Sequence, residues 1–159
     1  MTKALTKIGL ISDTNGLLRE QALTALRGSE LIVHAGDVGD PDILVQLGKI
    51  APVVAVRGNV DTEEWARREL PETAVAQACD VSIYVLHDVH ALDLDPAAAG
   101  FQIIVSGHSH KNLQTEKAGV LYINPGSAGP RRFTLPITVA RLDLAVKPWK
   151  AEFIDLEKI

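Results

Sequence analysis

The chain has 159 residues and a mass of 17.1 kDa, which corresponds to one domain at about 100–200 residues per domain. Apolar residues make up 47% and charged residues 23% of it, which excludes a disordered tail, a collagen-like chain and a coiled coil. The net charge is −4, so the sequence shows no basic face for sequence-independent binding of nucleic acid. We expect residues 1–159 to form a single domain.

The cysteine content and the N-terminus indicate where the protein works. Cys79 is the single cysteine, which excludes an internal disulfide and is typical of a reducing cytosol. The first residues contain no signal-peptide core. The longest apolar runs are far shorter than the roughly 20 residues of a membrane span. We therefore expect a soluble, cytoplasmic protein that does not contact membranes.

In the first half of the chain, short β-branched runs alternate with helical patterns. Strands are predicted at 7–12, 31–35 and 52–56, each followed by polar residues. One helix is predicted at 18–26, where apolar residues share a face. A second is predicted at 43–50, after the helix start Asp40-Pro41. Strands that alternate with helices predict a parallel sheet with helices on its faces.

The second half is rich in hairpins. Strands at 73–79 and 81–86 form one predicted hairpin. Ala118-Gly119 provides a tight turn between predicted strands at 113–117 and 120–123. A buried strand is predicted at 103–106, and a closing antiparallel pair at 137–142 and 149–154. The two halves together predict an α/β fold, a four-layer α/β/β/α sandwich of two mixed β-sheets flanked by helices. A single doubly wound sheet is the alternative.

Polar side chains gather where the predicted strands end. In α/β sheets ligands bind outside the carboxyl ends of the strands, so these loops are expected to meet in one crevice. Their carboxylate, amide and imidazole groups suit Mn²⁺, Fe²⁺, Zn²⁺, Ni²⁺ or Mg²⁺. The residues concerned are Asp13, Asn15, Asp37, Asp40, Asn59, Asp61, His87, Asp88, His90, His108 and His110.

Ordinary structural roles also account for several polar residues when each is taken alone. His34 lies within an apolar run and is better explained as a hydrogen-bonded core histidine than as a ligand. Asp40 and Asp61 are typical caps or turn formers, while Asp88 and His90 are typical of a solvated loop. These roles do not explain why five motifs occur in this order.

Five short motifs together resemble the calcineurin-like metallophosphoesterase superfamily. Its pattern is D-x-H, G-D, G-N, H and G-H-x-H, each at a strand end; here the corresponding residues lie at 13–15, 36–37, 58–59, 87 and 107–110. The short chain and the N-P-G-S run at 124–127 resemble its small prokaryotic phosphodiesterase branch, the YfcE-like group. The resemblance extends over nearly the whole chain. It implies the double-sheet sandwich and a divalent-metal-dependent phosphodiesterase that acts on small phosphodiesters.

The same resemblance implies a dinuclear metal centre in which the two ions activate a hydroxide. One ion would be held by Asp13, Asn15, Asp37 and His110. The other would be held by Asp37, Asn59, His87 and His108, so that Asp37 bridges the pair. The implied catalytic residues are Asp37, Asn59, His87 and Asn15. Mn²⁺ is the expected metal, with Fe, Ni, Zn and Mg as alternatives.

Three departures from the family pattern bear on activity. Asn15 stands where the family has His, and an amide is a poorer ligand than imidazole for Zn²⁺, Fe²⁺ or Ni²⁺, so we expect a weaker first metal site and reduced activity. Val60 stands where many relatives have a His that is thought to protonate the leaving group, which valine cannot do. His87-Asp-Val-His90 replaces the His-Gly-His of many relatives, and His90 is a candidate replacement acid.

Substrate contacts and alternative functions complete the predictions. Arg57 and Arg131 are candidates for binding phosphate oxygens, although surface ion pairing explains them equally well. The branch resembled implies a homo-oligomer. One alternative is a catalytically impaired or metal-poor binding or scaffold protein on the same fold. A receiver-like domain or nucleotide site is a further alternative, but the chain contains neither G-x-G-x-x-G after a strand nor G-x-x-x-x-G-K-[ST].

Overall fold

Two five-stranded mixed sheets form the frame of the protein in the computed structural model, which describes residues 4–159. In the first sheet, with strand order β10-β9-β1-β2-β3, the first three strands of the chain run parallel and the last two complete one edge as antiparallel strands. Its strands are β1 (Lys7–Ile11), β2 (Leu31–His34), β3 (Val53–Ala55), β9 (Thr138–Asp143) and β10 (Glu152–Asp155).

The second sheet contains both predicted hairpins. Its order is β4-β5-β6-β8-β7, with β5, β6 and β8 parallel and an antiparallel strand at each edge. The predicted strands are confirmed to within three residues at each end, and the two separate sheets exclude a single doubly wound sheet. The strands are β4 (Thr73–Ala78), β5 (Val81–Leu86), β6 (Ile103–Val105), β7 (Leu113–Lys117) and β8 (Val120–Asn124).

Three helices pack on the outer face of the first sheet: α1 (Glu20–Leu26), α2 (Pro41–Gly48) and α3 (Glu64–Glu69). The predicted start of α2 is confirmed, because Asp40 accepts a hydrogen bond from the Asp42 N–H at 2.9 Å. Helix α3 was not predicted, since its six residues bury only Ala66 and show no apolar face. No helix within residues 4–159 has the length and apolar character needed to cross a membrane.

The core has an inner and an outer part. Alternate residues of both sheets, such as Leu10 and Val33 in one and Ile83 and Val105 in the other, meet between the sheets. The outer face of the second sheet packs against residues 88–101, where one short 3₁₀ helix (Val89–Ala91) stands in place of an expected α-helix. The double-sheet sandwich is thus confirmed, with a loop layer on one side. Aspartates, a proline and a glycine favour turns over helix in that segment.

Candidate metal centre

The carboxyl ends of strands from both sheets meet at one edge of the sandwich. Asp13 follows β1, Asp37 follows β2 and His87 follows β5. One ligand atom from each of these three buried residues lies within 4.8 Å of the others. The crevice expected from the sequence therefore forms, and its centre is a cluster of two carboxylates and one imidazole.

One carboxylate oxygen in this cluster has no hydrogen bond. Asp13 Oδ1 is buried and unpartnered. It lies 3.8 Å from His87 Nε2 and 3.4 Å from His110 Nε2, and His87 Nε2 lies 3.2 Å from Asp37 Oδ2. A buried, unsatisfied carboxylate oxygen is costly unless a cation or donor faces it. The donor set therefore fits a divalent metal ion bound between these side chains.

Two exposed residues extend the cluster toward solvent. His108 Nδ1 lies 3.3 Å from His87 Nε2 and 3.2 Å from Asn59 Oδ1. Both Asn59 and His108 are solvent-exposed, whereas His87 is buried. The structure thus brings together six of the seven predicted ligands in a cluster that runs from the core to the surface.

Asn15, the seventh predicted ligand, lies beside this cluster. Its side-chain Nδ2 donates a hydrogen bond to the main-chain carbonyl of Asp13 at 3.1 Å. Among the described residues, the other amide atom, Oδ1, makes no hydrogen bond to the protein. Asn15 is half-buried. Its oxygen therefore remains available as a ligand, while its nitrogen is used to shape the loop.

The ligand loops have an unusual backbone conformation. Nine non-glycine residues in the described part of the chain have positive φ, and five of them are predicted ligands. Asp, Asn and His tolerate this region better than other residues. Strained conformations persist only where the surroundings hold them, and they cluster at functional sites. The five residues are Asp13, Asn15, Asp37, His108 and His110.

Close packing explains the glycines of the motifs. A Cβ at Gly58 would overlap the Oδ1 and the backbone nitrogen of Asp37. A Cβ at Gly107 would overlap the Ser12 hydroxyl and lie 2.6 Å from Asp13 Oδ2. The G-N and G-H motifs therefore need glycine because each loop packs directly on a carboxylate of the cluster.

Asp61 joins two of the ligand loops and was predicted only as a cap or turn former. Its buried carboxylate accepts hydrogen bonds from the N–H groups of Val38 (3.1 Å), Gly39 (3.0 Å) and Gly58 (2.9 Å). These bonds tie the loop that carries Asp37 to the loop that carries Asn59. Its position three residues after Gly58 was visible in the sequence, but its contacts across the fold were not.

The two buried carboxyl groups have opposite pKa shifts. Burial raises the pKa of Asp13, although the Ser12 hydroxyl and the nearby imidazoles favour its ionised form. Burial also acts to raise the pKa of Asp37, but hydrogen bonds from His87 and the Val60 N–H outweigh it and lower the pKa. The Val60 N–H donates to Asp37 Oδ1 at 3.0 Å. Asp37 is therefore held as the anion at the centre of the cluster.

The histidines of the cluster are oriented by their surroundings. His87 Nδ1 donates to the Ala35 carbonyl at 2.8 Å, which in the neutral ring leaves the Nε2 lone pair facing both carboxylates. Burial disfavours the charged form of His87, but contact with Asp37 outweighs it and raises the pKa. Burial lowers the pKa of His110, and the nearby charge of Arg132 adds to the effect.

His34 is the core histidine that the sequence predicted. Its Nδ1 accepts from the Gly36 N–H at 3.1 Å, so the proton is on Nε2, which donates to Thr14 Oγ1 at 3.0 Å. Thr14 in turn donates to the Val38 carbonyl at 2.9 Å. Complete burial lowers the pKa of His34 to about 3. The ring is thus a neutral support beneath the ligand loops.

The predicted phosphate-binding arginines lie in different settings. Arg57 lines a cleft of about 560 Å³ beside His87 and His108, and its guanidinium lies 3.2 Å from Glu72. Arg131 pairs with Glu157 and donates to the Leu135 carbonyl at 3.1 Å. That cleft is therefore lined by Arg57 and not by Arg131.

The candidate replacement acid, His90, is open to solvent and is paired with Asp88. His90 Nδ1 lies 3.2 Å from Asp88 Oδ1, and the His90 side chain is 90% exposed. Val60 contributes its backbone N–H to the site, while its side chain is largely exposed. Position 60, where many relatives have a histidine, therefore provides no side-chain proton donor.

Comparison with known proteins finds phosphoesterases. A sequence model of the calcineurin-like phosphoesterase superfamily domain matches residues 6–147. The chain is 33% identical over 149 residues to a probable metallophosphoesterase of Methanothermobacter thermautotrophicus, and the alignment covers 86% of each chain. It is 26% identical over 161 residues to a phosphodiesterase of Methanocaldococcus jannaschii, covering 91% of this chain and 96% of that one.

A solved structure shares the fold. The phosphoesterase Yfce of E. coli superposes with a TM-score of 0.73 at 24% identity, covering 96% of this chain and 94% of that one. The arrangement of two packed sheets is therefore common to both molecules.

Proposed function

Because the chain belongs to the calcineurin-like phosphoesterase superfamily, we propose that it is a divalent-metal-dependent phosphodiesterase that hydrolyses small phosphodiesters. The observation that carries the proposal is the buried, unpartnered Asp13 Oδ1, which faces the imidazoles of His87 and His110. The preference for diesters is supported by the name of the M. jannaschii relative.

We assign the ligands to two ions that share Asp37. The first ion is held by Asp13, Asn15, Asp37 and His110. The second ion is held by Asp37, Asn59, His87 and His108. When bound, two such ions supply an activated water and neutralise charge on the phosphate. Amide and carboxylate oxygens mixed with imidazoles suit Mn²⁺, which we propose as the working metal.

The protein's own residues hold this set in place before substrate arrives. The Ala35 carbonyl fixes the ring of His87, and the Val60 N–H fixes one oxygen of Asp37. Asp61 ties the loop of Asp37 to the loop of Asn59. Partners of this kind outside the ligand shell typically change metal affinity or activity by about 10–100-fold when they are removed. We propose that Asp61 is a positioning residue for Asp37 and Asn59.

Valine at position 60 cannot donate a proton to the leaving group, and this sets the leaving-group preference. Esters whose leaving groups are stable anions at neutral pH need no protonation and should react fastest. We retain Arg57 as a phosphate-binding residue, since it lines the cleft. For Arg131 that role requires release of its guanidinium from Glu157.

Asn15 favours a second candidate, a metal-poor binding or scaffold protein on the same fold. This residue replaces the family's histidine, and its Nδ2 is bonded to the Asp13 carbonyl. If the amide oxygen binds too weakly, the first ion is lost and catalysis falls with it. The two candidates differ in the number of ions that each chain binds.

Hydrolysis of bis(p-nitrophenyl) phosphate by chelator-stripped protein, titrated with Mn²⁺, tests the proposal. Metal-dependent turnover with two ions bound per chain is the expected result. A single bound ion with little turnover would support the metal-poor binding protein instead. p-Nitrophenyl phosphate, a monoester with the same leaving group, is the matched substrate and should react more slowly.

A further inference from the structure

Two clefts of different character flank the exposed edge of the cluster. The polar cleft has a volume of about 560 Å³ and contains Arg57, Asn59 and Glu72. The apolar groove on the other side has a volume of about 290 Å³ and contains Leu113 and Tyr122 on predominantly apolar walls. The polar cleft belongs to the site described above, whereas the apolar groove has no role in the proposed function so far.

The floor of the apolar groove is the outer face of β7 and β8. Leu113 pairs with Asn124 and Thr115 pairs with Tyr122 across these strands, so their side chains share this face. The segment 88–101 covers the centre of the sheet but leaves this end open. Leu113 is consequently 56% exposed. An exposed leucine beside an aromatic ring forms a surface that gains from contact with an apolar ligand.

The apolar groove is continuous with the ligand cluster. His108 and Asp88 line both the groove and the polar cleft. His108 directs Nδ1 to Asn59 and His87, while its Nε2 lies 3.9 Å from Asp88 Oδ2. A phosphate held at the cluster therefore lies at the wall that separates the two clefts. A diester has two organic arms and so occupies both clefts, whereas a monoester has only one.

The far end of the groove carries a positive charge. Lys117 Nζ lies 5.4 Å from the centre of the Tyr122 ring and over its face. Within residues 4–159, no carboxylate forms an ion pair with Lys117. Because Lys117 lies over one face of the Tyr122 ring, an aromatic group of a ligand would contact Leu113 and the rest of the ring, and the cation favours electron-rich or anionic substituents on that group. The apolar walls, the aromatic ring and the cation of the groove therefore suit an aromatic group better than a sugar.

We propose that the apolar groove binds one aromatic ester arm of the phosphodiester, an inference that rests on the proposed function. The phosphate is held at the ligand cluster, and the second arm lies in the polar cleft. The groove thereby selects aromatic diesters over both monoesters and alkyl diesters.

Inhibition of bis(p-nitrophenyl) phosphate hydrolysis by diphenyl phosphate and by dimethyl phosphate tests this assignment in the Mn²⁺-loaded protein. Burial of one phenyl ring should make the inhibition constant of diphenyl phosphate about tenfold lower. Leu113→Asp should abolish that preference. Val75→Asp is the matched control, because Val75 is 48% exposed on the opposite edge strand and lines neither cleft. A full preference that survives in Leu113→Asp would overturn the assignment.

A second measurement on the unaltered protein does not depend on turnover. Amide shifts are followed by NMR while diphenyl phosphate is added to Mg²⁺-loaded protein. Shifts at residues 113–117 and 120–124, with or without shifts at 57–59 and 72–73, support the groove, whereas shifts confined to 57–59 and 72–73 overturn it. Failure to hydrolyse either p-nitrophenyl ester with Mn²⁺ would contradict the proposed function. The NMR shifts report binding in the groove independently of hydrolysis, so the two proposals can fail separately.

Discussion

The buried and exposed halves of the ligand cluster are built differently. In the buried half, Asp13 receives hydrogen bonds from Ser12 and from the His108 N–H, and Asp37 receives one from the Val60 N–H. In the exposed half, Asn59 and His108 contact each other at 3.2 Å and are open to solvent. The buried half is therefore preorganised by the fold, while the exposed half lies where substrate enters.

This difference has a consequence for metal binding. Preorganised ligands lose less entropy on binding, which would favour an ion at Asp13 and Asp37. The same ion, however, is assigned the weaker ligand Asn15. The exposed half has the expected ligand types, but fewer hydrogen bonds from the surrounding protein hold them in place. The predictions that follow test which of these opposing effects dominates.

The largest expected effect comes from the carboxylate that both halves share. Asp37→Asn removes the negative charge of the carboxylate that is assigned as a ligand to both ions. It should lower kcat/KM by more than about 100-fold, beyond the effect typical of losing a residue that only hydrogen-bonds to a ligand. Asp42→Asn, a change to an exposed aspartate in the first turn of α2, is the control and should leave activity unchanged. Full activity in Asp37→Asn would contradict the two-ion assignment.

The packing of the buried half is tested at a glycine. Gly58→Ala places a methyl group against Asp37 and should destabilise the protein by about 1–3 kcal/mol while weakening metal binding. Gly48→Ala is the matched change, because a Cβ there meets nothing within 4 Å. Urea unfolding and metal titration of both variants measure the difference. Equal stability of the two variants would show that the loop around Gly58 accommodates the methyl group without loss of stability.

The weak ligand is tested by restoring the family residue. Asn15→His should tighten binding of the first ion by about tenfold or more, most clearly with Zn²⁺, because imidazole is the better ligand. His tolerates the positive φ of 47° at this position. Calorimetric titration of chelator-stripped protein gives both affinities, and the second ion serves as the internal reference. An unchanged first affinity would refute the assignment of Asn15 as a ligand.

Two buried histidines should respond differently to acid. The pKa of His34 is lowered to about 3 in the folded protein, against 6.5 in the unfolded chain, so the unfolded chain binds the extra proton. The stabilisation is complete above pH 6.5 and is lost as the pH falls toward 3, at about 1.4 kcal/mol per pH unit. The pKa of His87 is raised, which gives the opposite sign: its contribution is present below pH 6.5 and lost as the pH rises through the higher value.

Urea unfolding of metal-free protein between pH 6.5 and 4.5 isolates the contribution of His34. Stability should fall less steeply with acid in His34→Gln than in the unaltered protein, since glutamine does not titrate. His90→Gln is the control, because that side chain is 90% exposed and its change should leave the slope as it was. Parallel curves for His34→Gln and the unaltered protein would contradict the neutral, buried His34.

The smallest effects are expected at the two arginines. Arg57→Ala should raise KM for bis(p-nitrophenyl) phosphate several-fold, since Arg57 lines the polar cleft. Arg131→Ala should change KM by less than about twofold, because Arg131 does not line that cleft and its guanidinium is paired with Glu157. A larger KM effect at Arg131 would show that this side chain leaves Glu157 to bind phosphate.

Local patterns predicted most of the fold. The β-branched runs and turn residues located all ten strands, because a strand's signal lies within its own five or six residues. Helix α3 and the loop layer over the second sheet were not predicted. The first is too short to show a periodic face, and the second depends on how residues 88–101 pack rather than on a repeat.

The sequence likewise predicted some features of the candidate site and not others. Its residue types and their positions at strand ends were visible in the sequence, as was the core role of His34. The hydrogen bonds of Asp61, the orientation of His87 and the pairing of Arg131 with Glu157 were not. Apart from the bond between Asp61 and Gly58, each of those contacts joins residues more than twenty positions apart in the chain.

The family, the strands and the candidate metal ligands could all be read from the sequence, because motif spacing and alternation are local properties. Only the tertiary structure decided which of these side chains are buried, which oxygen lacks a partner and where the two clefts lie. Gly107 shows the reason, since it packs on Ser12 and Asp13, about 95 residues earlier in the chain. Burial and charge depend on such distant neighbours, which a single sequence does not specify.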